Sequence, residues 1–273
     1  MNRQGLSDLT GKVVVVTGGT GILGGAFIDA IVACGGAVGI LGRNETVAEE
    51  RAAAINAAGG SAIALVADVL NEEQLRAAKD KAMAFFGKID GLVNAAGGNM
   101  PQGVVQPDDD IFNMNIEGLR YVMDLNLWGT IIPTQIFGDA LAQNETASIV
   151  NISSMNSKSA VTKVLGYNMG KAGVDCYNEW FAVELARRYG DKIRMNALTP
   201  GFFLTEQNRN LLTNPDGTFT DRGASVIRQT PFKRFGKPEE LVGALVFLLS
   251  DSSRFVTGSQ LVVDGGFSIF SGV

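Results

Sequence analysis

Ser154, Tyr167 and Lys171 are the residues whose types and spacing best suit them to move a proton. Tyr167 stands thirteen residues after Ser154, and Lys171 four after Tyr167. On a helix that last interval is one turn, so phenol and ammonium share a face. A nearby ammonium favours the phenolate, which lets a tyrosine act as acid or base near neutral pH. Surface helices produce the same tyrosine–lysine spacing often. The surrounding elements must therefore bring these three residues to a cleft.

The bounds on other chemistry are tight. The 273 residues contain no histidine, which excludes His-ligated zinc, Ser-His-Asp triads and a histidine general base. Proton chemistry falls to Tyr, Lys, Cys or carboxylates. Apolar residues make up 46% and charged residues 19%, the balance of a soluble globular chain. The formal charge of −5 argues against nucleic acid as a partner. Cys34 and Cys176 each sit in an apolar helical pattern and are expected to be buried structural thiols. Two unclustered cysteines suggest a reducing compartment. Met1 to Lys12 has no apolar leader core, and no apolar run is long enough to span a bilayer. The expected location is the cytoplasm, with no membrane partner.

Strand and helix alternate from end to end. The continuous β-branched run at 12–17 reads as a strand buried on both faces, and 37–42, 61–67, 90–94, 148–153, 192–198 and 260–263 read as six further strands. Helical patterns fall at 27–34, 45–58, 72–86, 119–142, 167–189 and 238–250, with Pro133 marking a place for a kink. The order predicts a single α/β domain with a doubly wound, parallel, seven-stranded Rossmann sheet. Residues 99–113 read as a loop over the strand ends, and 202–230 as a substrate lid.

Right-handed crossovers place all strand carboxyl ends on one edge, where ligands of such sheets bind. Gly18, Arg43, Asp68, Asn94, Ser154 and Pro200 all follow strand ends and can face one cleft. The turn Gly18-Gly19-Thr20-Gly21-Ile22-Leu23-Gly24 between strand and helix suits backbone approach to a phosphate at a helix N-terminus. The second strand ends in Gly42-Arg43-Asn44, where an acid would bind the ribose hydroxyls of NAD. That acid is absent and an arginine suits a 2′-phosphate, so the expected cofactor is NAD(P), leaning to NADP. Asp68 is either a cofactor contact or the N-cap of the third helix.

Taken in order, five signals resemble the short-chain dehydrogenase/reductase family. They are the glycine turn, Asn94-Ala95-Ala96-Gly97, Asn126, Ser154 with Tyr167 and Lys171, and Pro200-Gly201 with Thr205. The resemblance covers nearly the whole chain. It implies that Tyr167 is the acid/base that protonates a carbonyl oxygen and that Ser154 holds that oxygen. Lys171 would bind the nicotinamide ribose and depress the tyrosine pKa. Asn126 would break the long helix locally and help a water join Lys171 to solvent. Gly18, Gly21 and Gly24 would cradle the pyrophosphate, Asp68 and Val69 contact adenine, Asn94 brace the central strands, and Thr205 hold the carboxamide. The family also implies a homotetramer. One departure is visible. The glycines follow T-G-x-x-G-x-x-G, with Ile22 where the common pattern T-G-x-x-x-G-x-G has its middle glycine.

Within the family, the glycine turn, Ile40 to Asn44 and Pro200 to Arg209 are similar to the D-mannonate oxidoreductase (fructuronate reductase) branch. This implies a keto sugar acid as substrate. A sugar acid needs a cation and several hydrogen-bonding side chains. Asn99, Gln102, Asn156, Lys158, Lys163, Asn208, Arg209, Asn210 and Arg222 are on offer, with Asn99, Asn156, Lys158 and Arg209 the chosen candidates. Gluconate 5-dehydrogenase and 3-oxoacyl-thioester reductase share the same frame and stay open as alternatives. So does a non-catalytic nucleotide-sensing domain.

Overall fold

Seven parallel strands form the centre of the molecule in the computed structural model, which describes residues 7–272. They are β1 Val13–Thr17, β2 Ala37–Gly42, β3 Ala62–Val66, β4 Gly91–Asn94, β5 Ala147–Ile152, β6 Ile193–Pro200 and β7 Gln260–Val263. The sheet order is β3-β2-β1-β4-β5-β6-β7. Each strand pairs in parallel with its neighbours, Val14 with Val38 on one side and Gly91 on the other. The order reverses between β1 and β4, so the chain leaves the sheet in opposite directions there and a crevice opens at their carboxyl ends.

Eight α-helices accompany the sheet among the described residues: α1 Ile22–Ala33, α2 Glu45–Ala57, α3 Glu72–Phe86, α4 Ile116–Ala142, α5 Leu165–Tyr189, α6 Glu206–Leu212, α7 Asp221–Gln229 and α8 Glu239–Leu249. Alternate strand side chains feed two cores. Val14, Val16 and Ile40 pack with Phe27, Ile28, Ala48 and Leu245 from α1, α2 and α8. Val15, Leu41 and Leu65 pack with Leu75, Phe137 and Leu185 from α3, α4 and α5. This is why β1 shows no polar alternation: both of its faces are dry. No helix among the described residues is long and apolar enough to cross a membrane.

Several boundaries differ from the sequence reading. α1 begins at Ile22, inside the glycine-rich run, so Ile22, Leu23 and Gly24 form its first turn. α4 begins at Ile116, because Asn115 accepts a hydrogen bond from Gly118 N and caps it. It then runs unbroken through Asn126 and Pro133. The hydroxyls of Thr130 and Thr134 bond back to the carbonyls of Asn126 and Thr130, adding side-chain hydrogen bonds on both sides of the proline. β6 extends to Pro200, which pairs with Val263. α3 is capped by Asn71, not Asp68, whose carboxylate accepts from Leu70 N instead. The cysteines depart from expectation: Cys34 is half-buried at the end of α1, and Cys176 is exposed on α5.

The segment 202–230 holds α6 and α7, joined by a bridge between Thr213 and Phe219. It has its own small core of Leu212 and Val226 with Phe235. A second bridge, Phe203 to Gly236, ties its base to the chain that follows.

Candidate active site

At the β1/β4 crevice, Thr17 Oγ1 accepts hydrogen bonds from Ala95 N and Ala96 N, both at 3.1 Å. This binds the two diverging strand ends together. Gly18 follows with φ +66°, and a Cβ there would stand 2.8 Å from Ala95 O. A Cβ on Gly24 would collide with Gly18 O. Glycine is required at both places, because the turn folds back on the start of α1. No side chain caps the N-terminus of α1, so its first amides remain available to an anion.

The result is a trough of about 530 Å³ lined by Gly18, Thr20, Gly21, Ile22, Leu23, Gly24, Arg43, Asn44, Asp68, Val69, Ala95, Ala96, Gly97 and Thr205. These residues fit a dinucleotide: glycine cradle and helix terminus at the centre, Arg43 and Asp68 at the far end. Arg43 is 65% exposed and faces Asp68 at 3.6 Å. Thr20 packs over Gly42, the place of the missing acid, where a Cβ would stand 2.7 Å from Thr20 Oγ1. Asn94 is buried below the trough and donates to Thr134 Oγ1 and Asn151 Oδ1, each at 2.9 Å, bracing β4 to α4 and β5.

Sequence reasoning missed Met100, Tyr121 and Leu125, which also line the trough. It missed Arg51 too. From α2, Arg51 Nη1 donates to Gly19 O and, at 3.1 Å, to Gly21 O. Both are carbonyls of the glycine turn. Arg51 lies thirty residues away in sequence, so no local signal marks it.

Ser154, Tyr167 and Lys171 come together as the spacing requires. Ser154 leaves the end of β5 in extended conformation and its Oγ accepts from Asn156 N at 3.2 Å. Tyr167 and Lys171 lie in the first two turns of α5, with Lys171 Nζ 5.6 Å from the Tyr167 ring centroid. Nζ donates to Ile152 O at 2.7 Å, anchoring the lysine to the β5 backbone. Burial pushes the Tyr167 phenol above its ordinary 10, and a hydrogen bond with Ser154 opposes the rise. Burial lowers Lys171 from 10.5 to about 8, opposed by the charge of Asp175 one turn on. Loss of solvent dominates at the phenol, even with the Lys171 ammonium beside its ring.

Asn126 is fully buried beside this group. Its Nδ2 donates to Gly98 O and Val122 O, each at 2.7 Å, and its Oδ1 accepts from Gly98 N at 3.1 Å. Gly97 sits between Asn126 and Lys171: a Cβ on it would be 2.7 Å from Asn126 Oδ1 and 3.4 Å from Lys171 Nζ. The expected break in α4 is absent. Asn126 satisfies Val122 O from within a continuous helix while holding the loop after β4.

Tyr167, Lys171, Pro200 and Gly201 face a second cavity of about 260 Å³ under α6 and α7. Leu23, Ala95, Gly97, Gly98, Asn99 and Thr205 line both cavities, so the two meet there. Of the chosen substrate candidates, Asn99 and Asn156 line this cavity. Lys158 and Arg209 do not: both are exposed and outside its wall. Gln102 and Asn210 are exposed, and Lys163 is half-buried with φ +74°. Arg222, from α7, does line it. Asn208 also lines the wall, but its Oδ1 accepts from Thr205 N and its Nδ2 donates to Phe203 O, which closes the cap of α6.

Comparison with known proteins agrees with this geometry. The family model described as enoyl-(acyl carrier protein) reductase matches residues 21–268. The chain is 41% identical over 275 residues to the uncharacterized oxidoreductase UxuB of Bacillus subtilis, covering 97% of this chain and 98% of the relative. A solved candidate D-mannonate oxidoreductase from Haemophilus influenza with bound NAD is 36% identical, with a TM-score of 0.89 over 98% of this chain and 99% of the other. A gluconate 5-dehydrogenase from Burkholderia cenocepacia, in complex with NADP and tartrate, is 32% identical, with a TM-score of 0.84 over 98% and 99%. With its seven-stranded parallel sheet, dinucleotide trough and these relatives, the chain belongs to the short-chain dehydrogenase/reductase family of NAD(P)-dependent oxidoreductases.

Proposed function

We propose that this protein interconverts a keto sugar acid and its hydroxy acid, with D-fructuronate and D-mannonate as the pair. The observation behind this reading is that the cavity holding Ser154, Tyr167 and Lys171 opens into the dinucleotide trough along Leu23, Ala95, Gly97 and Asn99. A nicotinamide dinucleotide supplies the hydride when bound in the trough. The protein's part is a proton and orientation. The Ser154 hydroxyl, already aimed by Asn156 N, holds the substrate oxygen. Tyr167, kept protonated by burial, donates its proton to that oxygen during reduction and takes it back during oxidation. Lys171 holds the ribose hydroxyls and passes protons, a role suited to an amine whose pKa is lowered to about 8. The lid formed by α6 and α7 covers the cavity and excludes water.

Asn99, Asn156 and Arg222 on the cavity wall suit a hydroxylated anion better than an acyl chain. The similarity to the candidate D-mannonate oxidoreductase supports the same substrate. Arg43, standing where the ribose-binding acid is missing, reads a 2′-phosphate, and the similarity to the NADP-bound gluconate 5-dehydrogenase is compatible with this. The enzyme works in the cytoplasm as a homotetramer.

The test is purified protein with NADH and NADPH against D-fructuronate, 5-ketogluconate and an acetoacetyl thioester, following reduced-cofactor absorbance. Fructuronate reduction is expected to be fastest; thioester reduction without sugar-acid turnover would overturn the substrate. Tyr167→Phe should still bind cofactor and lose at least about a hundredfold in kcat, the range for general acid catalysis. Arg43→Asp should shift preference toward NADH, and an unchanged preference would remove Arg43 from cofactor choice.

A further inference from the structure

The charge on the cavity wall is one-sided. Among the described residues lining it, the basic ones are Lys171 and Arg222, and none is Asp or Glu. Lys171 Nζ is engaged with Ile152 O at 2.7 Å. Arg222 is not committed to an anion: its Nη2 donates to Thr162 O at 3.3 Å, and no ion pair is found for it among the described residues. A guanidinium presents five donors in a planar fork matched to a carboxylate, so one long bond to a neutral carbonyl leaves most of them unused. Burial lowers its pKa from the ordinary 12.5. A second group on the same wall also lacks a partner: Asn99 Oδ1 is buried and accepts no hydrogen bond.

We infer that Arg222 is the residue that reads the substrate carboxylate, binding it from the lid while Asn99 accepts a hydroxyl at the seam with the cofactor trough. This rests on the sugar-acid reading above and adds where the acid end lies. The reacting carbon is held by Ser154 and Tyr167 from β5 and α5, whereas the carboxylate is held by α7. One substrate then touches both the sheet edge and the lid. A neutral sugar of the same length would reach Ser154 and Tyr167 but leave Arg222 unpaired, so the site discriminates by charge.

Two measurements on the enzyme–cofactor complex test this. The first compares turnover of D-fructuronate with D-fructose, the neutral ketose, in wild type, Arg222→Met and Arg222→Lys. Arg222→Met should lower kcat/KM for fructuronate by about 30- to 100-fold, the range for losing a charge-assisted hydrogen-bond partner, and leave any fructose turnover nearly unchanged. Arg222→Lys should recover part of the loss. An equal fall for both sugars, or none for either, would overturn the assignment. The second measurement does not depend on which sugar acid is turned over. Titrating D-gluconate against its neutral counterpart D-glucitol by calorimetry should show binding of the anion alone, abolished by Arg222→Met at constant ionic strength. Gluconate binding that survives the substitution, or is absent from wild type, would refute the carboxylate site. Arg222-dependent gluconate binding without fructuronate turnover would keep the site and discard D-fructuronate as substrate.

Discussion

Lys171 stands 4% exposed with its ammonium on a backbone carbonyl, an expensive place for a charge. Its pKa falls from 10.5 to about 8 on folding, so between those values the unfolded chain binds more protons than the native one. Stability therefore rises with pH across that window, and at pH 7 the buried charge costs about 3 kcal/mol. Lys171→Met removes this cost but strips Ile152 O of its partner, which costs about 1–3 kcal/mol. The variant should lose turnover, and its melting temperature relative to wild type should be highest at pH 7 and fall steadily to pH 10. A difference that stays flat with pH would show that the amine is not held out of solvent. At this scale Ser154, Tyr167 and Lys171 were legible because all three lie within eighteen consecutive residues. The carboxylate-reading cation was not. Arg209 and Arg222 look equivalent in sequence, but α7 carries Arg222 onto the cavity wall while Arg209 on α6 is exposed.

The glycine turn and α2 form a unit at the next scale. Arg51 draws the carbonyls of Gly19 and Gly21 toward α2, which leaves the opposite side of those peptides to the trough. Arg51→Met should raise the KM for cofactor about tenfold, equivalent to ~1.4 kcal/mol, with kcat changed less than twofold. A matching loss in kcat, or no change in KM, would show that the arginine does not position the turn. β1 was legible because a continuous apolar run buried on both faces needs no partner information to be recognised. Helix starts were less so. Asn115 caps α4 four residues before the apolar pattern becomes regular, and α1 starts among glycines that propensity alone would exclude. In the lid, α6 and α7 are seven and nine residues long, too short to establish a period by themselves.

Over the whole molecule, α5 presents two faces of different character. Val174, Asn178 and Leu185 turn inward and are buried, while Leu165, Met169, Ala172, Cys176, Trp180 and Val183 form an exposed stripe along its length. Trp180 is 61% and Val183 58% exposed. An exposed apolar stripe at helical spacing is the kind of surface that proteins cover by association, and it supports the proposed self-association. Sedimentation should find a homotetramer, and Trp180→Glu should shift it to smaller species; an unaltered monomer in both would remove α5 from the interface. The stripe was hidden in the sequence because a helix apolar on both sides has no clear periodicity to read. Its one thiol gives the assembly a chemical clock. If two copies of α5 face each other, alkylation of Cys176 runs only as fast as subunits come apart, so dilution should quicken it and Trp180→Glu should abolish the lag. The residue that sequence reading placed in a core would then report, by its reactivity, how long one subunit stays with the next.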